Sequence, residues 1–172
     1  MTFEPKAKKS GRVLAFLLIL GGLLIFLITS FPIPYRGVAQ MLAIALIVAG
    51  LFVTVRYVLC EFRYLLDERE EGGTDLIIWK IQGQKQIKVC HISLARAEAC
   101  FLLTDKPDFE KKYGRTNRRF NHCRNLGKAG QYVLLYRDGD ELIEIRIECD
   151  AAFANEINHR LGKGDGGISF TM

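Results

Sequence analysis

Acidic residues are nearly missing from the first third of this 172-residue chain. Residues 1–60 hold one acid, Glu4, against six bases: Lys6, Lys8, Lys9, Arg12, Arg36 and Arg56. Residues 61–172 hold 18 acids and 18 bases, so the net charge of +5 sits wholly in the first 60 residues. The excess is therefore topology information, and no nucleic-acid partner is expected from it. Disulfide spacing is missing too. The five cysteines, Cys60, Cys90, Cys100, Cys123 and Cys149, are odd in number and include no C-x-x-C pair. That pattern argues for a reducing compartment.

Catalytic signatures are also missing. There is no G-x-S-x-G, no H-E-x-x-H and no glycine-rich phosphate loop. His91, His122 and His159 are scattered. The metal-like set of Cys90-His91, Cys100 and His122-Cys123 lacks zinc spacing, and neighbours on a strand point to opposite faces. No catalytic residue, cofactor or metal site is expected, and the chain reads as a non-enzyme.

What is present begins with two long apolar runs. Val13–Phe31 has 19 uncharged residues and spans about 28 Å as a helix, close to the hydrocarbon thickness of a bilayer. Val38–Val55 has 18, and Arg56 can snorkel, so the second helix extends over 38–59. Pro32 and Pro34 break the chain between them and force a tight hairpin. The first run is long for a signal-peptide core and lacks a prompt small-x-small cleavage site, so it is expected to stay attached. Lysine and arginine flank both outer ends, while the connecting loop holds only Arg36. The expectation is a multi-pass protein of the cell membrane, with both termini and the globular part cytoplasmic. Ala39, Ala43, Ala45, Ala49 and Gly50 recur on the second helix, and Gly21 and Gly22 sit mid-way along the first. Small residues let helices approach closely, either within the hairpin or against another membrane subunit. No Asp, Glu, Lys or His lies within either span, so a transporter or proton relay lacks its usual groups.

From residue 60 the pattern shifts to short alternating runs. Seven strands are predicted: 60–66, 75–82, 85–92, 97–103, 120–125, 131–137 and 141–148. In 75–82, Ile77, Trp79 and Ile81 share a face; in 85–92, Ile87, Val89 and His91 alternate against Lys88 and Cys90. Gln82-Gly83-Gln84 and Asp138-Gly139 suit tight hairpins. In the last strand, Ile143, Ile145 and Ile147 oppose Glu144, Arg146 and Glu148, as in a half-buried strand. Asp150 then caps an amphipathic helix with Phe153, Ile157 and Leu161 at a spacing of four. The division is a basic N-terminus at 1–12, a hairpin at 13–59, a domain at 60–161 and a flexible tail at 162–172.

Two short stretches carry a family likeness. Tyr64-Leu65-Leu66-Asp67-Glu68-Arg69 resembles the Y-x-L-T-D-E-R-like turn, and Ile92-Ser93-Leu94-Ala95-Arg96-Ala97 the I-P-L-x-R-I-like stretch, of bacterial membrane proteins in which a two-helix hairpin leads into a pleckstrin-homology-like (PH-like) domain. The resemblance spans residues 13–161. It implies a mainly-β domain forming a seven-stranded barrel closed by one C-terminal helix, of a class that binds lipids or peptides. The chain departs from the pattern at Glu70–Gly73, which lengthens the first turn, and at 105–117, which exceeds a simple hairpin.

Inside the neutral domain one segment is strongly basic. Residues 106–128 hold Lys106, Lys111, Lys112, Arg115, Arg118, Arg119, Arg124 and Lys128 against Asp108 and Glu110, a net +6. Three readings remain open: a solvated loop, a patch against anionic lipid headgroups, or a surface for an acidic protein or RNA. The partners expected are membrane lipids and a membrane or cytoplasmic protein. Two functions follow: a membrane-anchored interaction module, or an accessory subunit assembled through the hairpin.

Overall fold

The computed structural model describes residues 1–32, 34–70 and 72–161, without the side chains of 106–109. The expected tail at 162–172 lies outside the described residues. The chain divides into two units: Lys6–Glu61, and Met1–Pro5 together with the chain from Phe62 onward.

The first unit is a helical hairpin. Helix α1 runs Lys9–Ile28 and helix α2 runs Arg36–Val53, with a π-helical turn over Thr54–Val58. Both are long and apolar enough to cross a membrane. Their large side chains face outward, Phe16 at 64%, Met41 at 75% and Phe52 at 69% exposure. The small residues make the seam. Ala15, Gly22, Ala43 and Gly50 are buried between the helices. A Cβ on Gly22 would meet Ile47 Cγ1 at 2.7 Å and the Ala43 carbonyl at 2.8 Å; one on Gly50 would meet Ile19 Cγ1 at 2.6 Å. These distances are below any real Cβ contact, so the approach requires glycine. Gly21, Ala45 and Ala49 do not join the seam: a Cβ on Gly21 meets nothing, and Ala45 and Ala49 are exposed.

The second unit is mainly β, built on two four-stranded sheets. One has the order β1-β2-β3-β4, from Thr2–Phe3, Cys60–Glu68, Thr74–Gln82 and Lys85–Ser93. The other has the order β5-β7-β8-β6, from Ala97–Leu102, Gln131–Asp138, Glu141–Glu148 and Arg118–Asn121. Helix α3 covers Lys106–Tyr113 and helix α4 covers Ala151–Arg160. Asp150 caps α4 as expected, its Oδ1 accepting from Phe153 N at 2.8 Å. Both two-residue hairpin loops put glycine first, Gly83 at φ 60° and Gly139 at φ 59°, the left-handed position a type II′ turn demands.

Three differences from the sequence reading matter. The seven-stranded closed barrel is not what forms. Eight strands make two sheets, and no ladder joins them among the described residues. The extra strand is β1, from a segment read as a basic lead-in. Thr2 pairs with Leu65 and Phe3 with Tyr64, and the Phe3 ring packs on Phe153 at 5.4 Å. A two-residue strand has no periodicity to read. The stretch at 105–117 contains α3, which was not expected.

The main core joins both sheets to α4. Phe62, Tyr64, Leu66, Leu76, Ile78, Ile92, Leu134, Ile145 and Ile147 meet Phe153, Ala154 and Ile157. Residues 76 and 78 therefore face inward, while Ile77, Trp79 and Ile81 share the other side, as expected, and are half-buried there. Both faces of this strand are apolar, so alternation alone does not say which is buried. A bulge at Ile78/Trp79 also breaks the register with β4, whose residues 85–89 are exposed on both faces. The second sheet is covered on both sides. Its outer face carries a smaller core of Ala99, Phe101, Leu103, Val133, Leu135 and Leu142, with Tyr113 of α3 packed on it.

Candidate functional site

The basic segment forms less of a free surface than its composition implies. Strand β6 runs parallel to β8, pairing Arg118 with Ile143 and Asn121 with Arg146. That pairing brings the segment over the polar face of β8, which was read as open to solvent. Glu144 is instead fully buried. Its carboxylate takes Arg146 Nε at 2.6 Å, Arg119 Nε at 3.3 Å and the Thr116 hydroxyl at 3.3 Å. Glu148 is buried as well and accepts from Asn125 N at 2.9 Å and Asn125 Nδ2 at 2.6 Å. Gln131 Nε2 donates to the Asn125 and Gly127 carbonyls. Tyr64 completes the fastening: its hydroxyl donates to the His122 carbonyl at 2.8 Å and accepts from Glu148 N at 3.1 Å. A buried carboxylate persists only when paired and hydrogen-bonded, so these two acids hold the segment down.

The eight expected site residues therefore separate. Arg119 is committed to Glu144, Arg118 to Glu141 at 3.1 Å, and Arg124 to the Pro5 carbonyl at 3.0 Å. Lys112 lies 5.2 Å from the Tyr113 ring centre. Lys111, Arg115 and Lys128 are exposed, with no ion pair among the described residues. The side chain of Lys106 lies outside the described residues.

A second cluster, which the sequence reading did not single out, lines a cleft of about 380 Å³. Its walls are Arg69 and Gly72-Gly73 from the β2–β3 turn, His91 and Ser93 from β4, Arg96 from the following 3₁₀ turn, and Tyr136 from β7. Asp75 lies behind them, buried. Its Oδ1 pairs with Arg69 Nη2 at 2.5 Å and its Oδ2 contacts His91 Nε2 at 2.8 Å. Desolvation raises the Asp75 pKa, but the bonds to Arg69 and His91 outweigh it and hold the carboxyl below its ordinary value. The register explains the meeting: Asp75 pairs with Ser93 and Ile77 with His91, so all four alternate on one face. The signal for this site lay in the two family-like stretches. Arg69 ends the first, Ile92 to Arg96 form most of the second, and the fold brings both to the same cleft.

The cysteines do not assemble a metal centre. Among the described residues no three of His, Cys, Asp and Glu converge. Cys100 and Cys149 are buried free thiols, and burial pushes the Cys100 thiol up to about 12. Searches of protein-family models, of curated proteins and of solved structures match nothing to this chain.

Proposed function

We propose that this chain is a non-enzymatic, membrane-anchored interaction module. The helical hairpin spans the membrane, and a PH-like β domain binds a protein partner or the anionic membrane surface beside it. The observation that carries the reading is the exposed apolar surface of the hairpin. Buried core helices hide residues such as Phe16, Met41 and Phe52, whereas these helices bury only their small-residue seam. Strand β1 supports the topology. Residues 2–3 pair with 64–65 on the far side of the hairpin, so the chain has to return to the side it left. Lysine and arginine at the outer ends make that side the cytoplasm. The PH-like reading is supported by the two sheets that share one core and by the amphipathic helix α4 packed on it.

The lipid-facing candidates are Lys111, Lys112, Arg115 and Lys128. Each base near an anionic leaflet contributes roughly 1 kcal/mol. Hydrogen exchange of the full chain, reconstituted in neutral and in anionic bilayers, tests this. Slower exchange over residues 110–128 in the anionic bilayer is expected. Identical exchange in both would remove the membrane surface and leave the protein partner.

One observation favours the accessory-subunit reading. Met41, Ile44, Ala45, Val48, Ala49, Phe52 and Val53 line an outward groove of about 660 Å³ on α2. The small residues that could receive a neighbouring helix are thus Ala45 and Ala49, since Ala43 and Gly50 belong to the hairpin's own seam. Replacing Ala45 and Ala49 with Leu then separates the readings. Loss of a defined complex in native mass measurements favours the accessory subunit, and an unchanged mass favours the module.

A further inference from the structure

We infer that the free end of the β3–β4 hairpin is a contact surface for an anionic lipid leaflet. Strand β4 is the edge of its sheet, and its residues 85–89 are exposed on both faces. Ile87 is 54% and Val89 38% exposed, and β3 adds the half-buried Trp79 and Ile81. Lysines stand among these apolar groups. Trp79 pairs with Lys88 and Lys80 with Ile87, and directly opposed side chains share a face, so each face sets a large apolar group beside a lysine. No acid occurs from residue 76 to residue 97. Lys80, Lys85 and Lys88 have no ion pair among the described residues, whereas Arg118 and Arg119 of β6 are paired. Unpaired bases interleaved with apolar side chains complement phosphates lying over acyl chains. The ammonium groups stay at the headgroups while the lysine stems and apolar groups reach the acyl boundary.

The strand directions support the same occupant. Strand β1 pairs Thr2 with Leu65 and Phe3 with Tyr64, so it runs toward the start of β2. Strand β2 begins at Cys60, with only Leu59 between it and the π-helical turn, and the short turn at 69–73 makes β3 run back antiparallel to it. The loop at Gly83-Gln84 therefore lies at the end of the sheet through which the chain passes both to and from the helices. On the reading that those helices span a membrane, on which this inference rests, that end is the tethered one. Another strand is the less suited occupant. The register skips Val89 at the bulge, and Lys85 and Lys88 stand on the exposed edge, two features that block strand addition. Gln82 and Gln84 make the tip polar, so the hairpin end lies along the headgroups instead of inserting tip-first.

Trp79 is the single tryptophan of the chain and reports on the contact directly. The full chain is placed in nanodiscs of phosphatidylcholine brominated on its acyl chains, with or without phosphatidylglycerol, and Trp79 fluorescence is read. Stronger quenching is expected in the anionic discs. Lys88→Gln should lower the ratio of engaged to free hairpin there about 5-fold, and Lys80→Gln, Lys85→Gln and Lys88→Gln together should return quenching to the neutral-disc level. These lysines hold no partner, so the triple variant keeps the fold. Two results overturn the contact: equal quenching in the two kinds of disc, or quenching in the anionic discs that the triple variant retains. A shift of Trp79 emission by polyglutamate, where anionic discs do not quench it, overturns the contact as well and gives the surface to an acidic protein. Co-elution with the neutral discs keeps the two readings apart. A chain that leaves them contradicts the membrane-spanning helices and takes this contact with them, whereas a chain that stays in anionic discs unquenched contradicts the contact alone.

Discussion

The two cationic regions of the β unit differ in a way their sequences conceal. Residues 106–128 carry eight bases, the densest positive stretch in the chain, yet three of its arginines are bound to acids or carbonyls of the same unit. The cleft draws only two arginines and one histidine, from positions 69, 91 and 96, and presents them to a cavity. Charge density along a chain therefore says little about charge that a ligand can use. What decides is whether acids distant in sequence fold back against the bases. Glu141 and Glu144 of β8 do so over Arg118 and Arg119, and among the described residues nothing comparable covers Arg96.

The comparison breaks first at Glu144. Arg146→Met leaves that buried carboxylate short of its nearest cation, and we expect a loss of about 3 kcal/mol in urea unfolding, read by Trp79 fluorescence. A loss no larger than that of a surface pair would mean that the segment is an ordinary solvated loop after all. Next in size is Phe3→Ala, which removes the ring packed on Tyr64 and Phe153 and should cost about 2 kcal/mol in the same assay. An unchanged midpoint would detach the N-terminal strand from the unit.

The fold was legible where one residue's neighbours in sequence are also its neighbours in space. The helical hairpin, the two glycine-first β-hairpins and α4 with its Asp150 cap are all of that kind. The strands 131–138 and 141–148 were legible too, from the Asp138-Gly139 turn between them and the alternation of Ile143, Ile145 and Ile147 in the second. What was hidden depends on distant pairing. The parallel pairing of β6 with β8, and the burial of Glu144 and Glu148 against Thr116, Arg119 and Asn125, leave no mark in local periodicity. The inward parity of β3 was hidden because Ile77, Trp79 and Ile81 are as apolar as Leu76 and Ile78. The cleft was half legible: its arginines stood inside the two family-like stretches, but only the fold shows that the stretches meet.

Two pH effects sharpen the contrast between paired and unpaired groups. Asp75 is held below its unfolded value, so its contribution is complete above the ordinary carboxylate range and is lost as pH falls through its lower folded value. Acid unfolding midpoints should therefore shift to higher pH in Arg69→Gln, which removes one of its supports. The opposite sign holds at alkaline pH. Cys100 is raised to about 12, so its neutral core state contributes fully below its ordinary pKa near 9 and the unit weakens as pH rises from there. Cys100→Ala should flatten that alkaline loss. The smallest effect expected is Arg118→Gln, whose exposed pair with Glu141 contributes at most about 1 kcal/mol.

The proposed module rests on a hairpin that crosses the membrane and returns. The most direct test labels single cysteines with a membrane-impermeant maleimide in sealed, oriented vesicles. Lys6→Cys and Gln84→Cys should react from the same side, and Arg36→Cys, at the start of α2, only from the other. Reaction of all three from one side would contradict the membrane-spanning account.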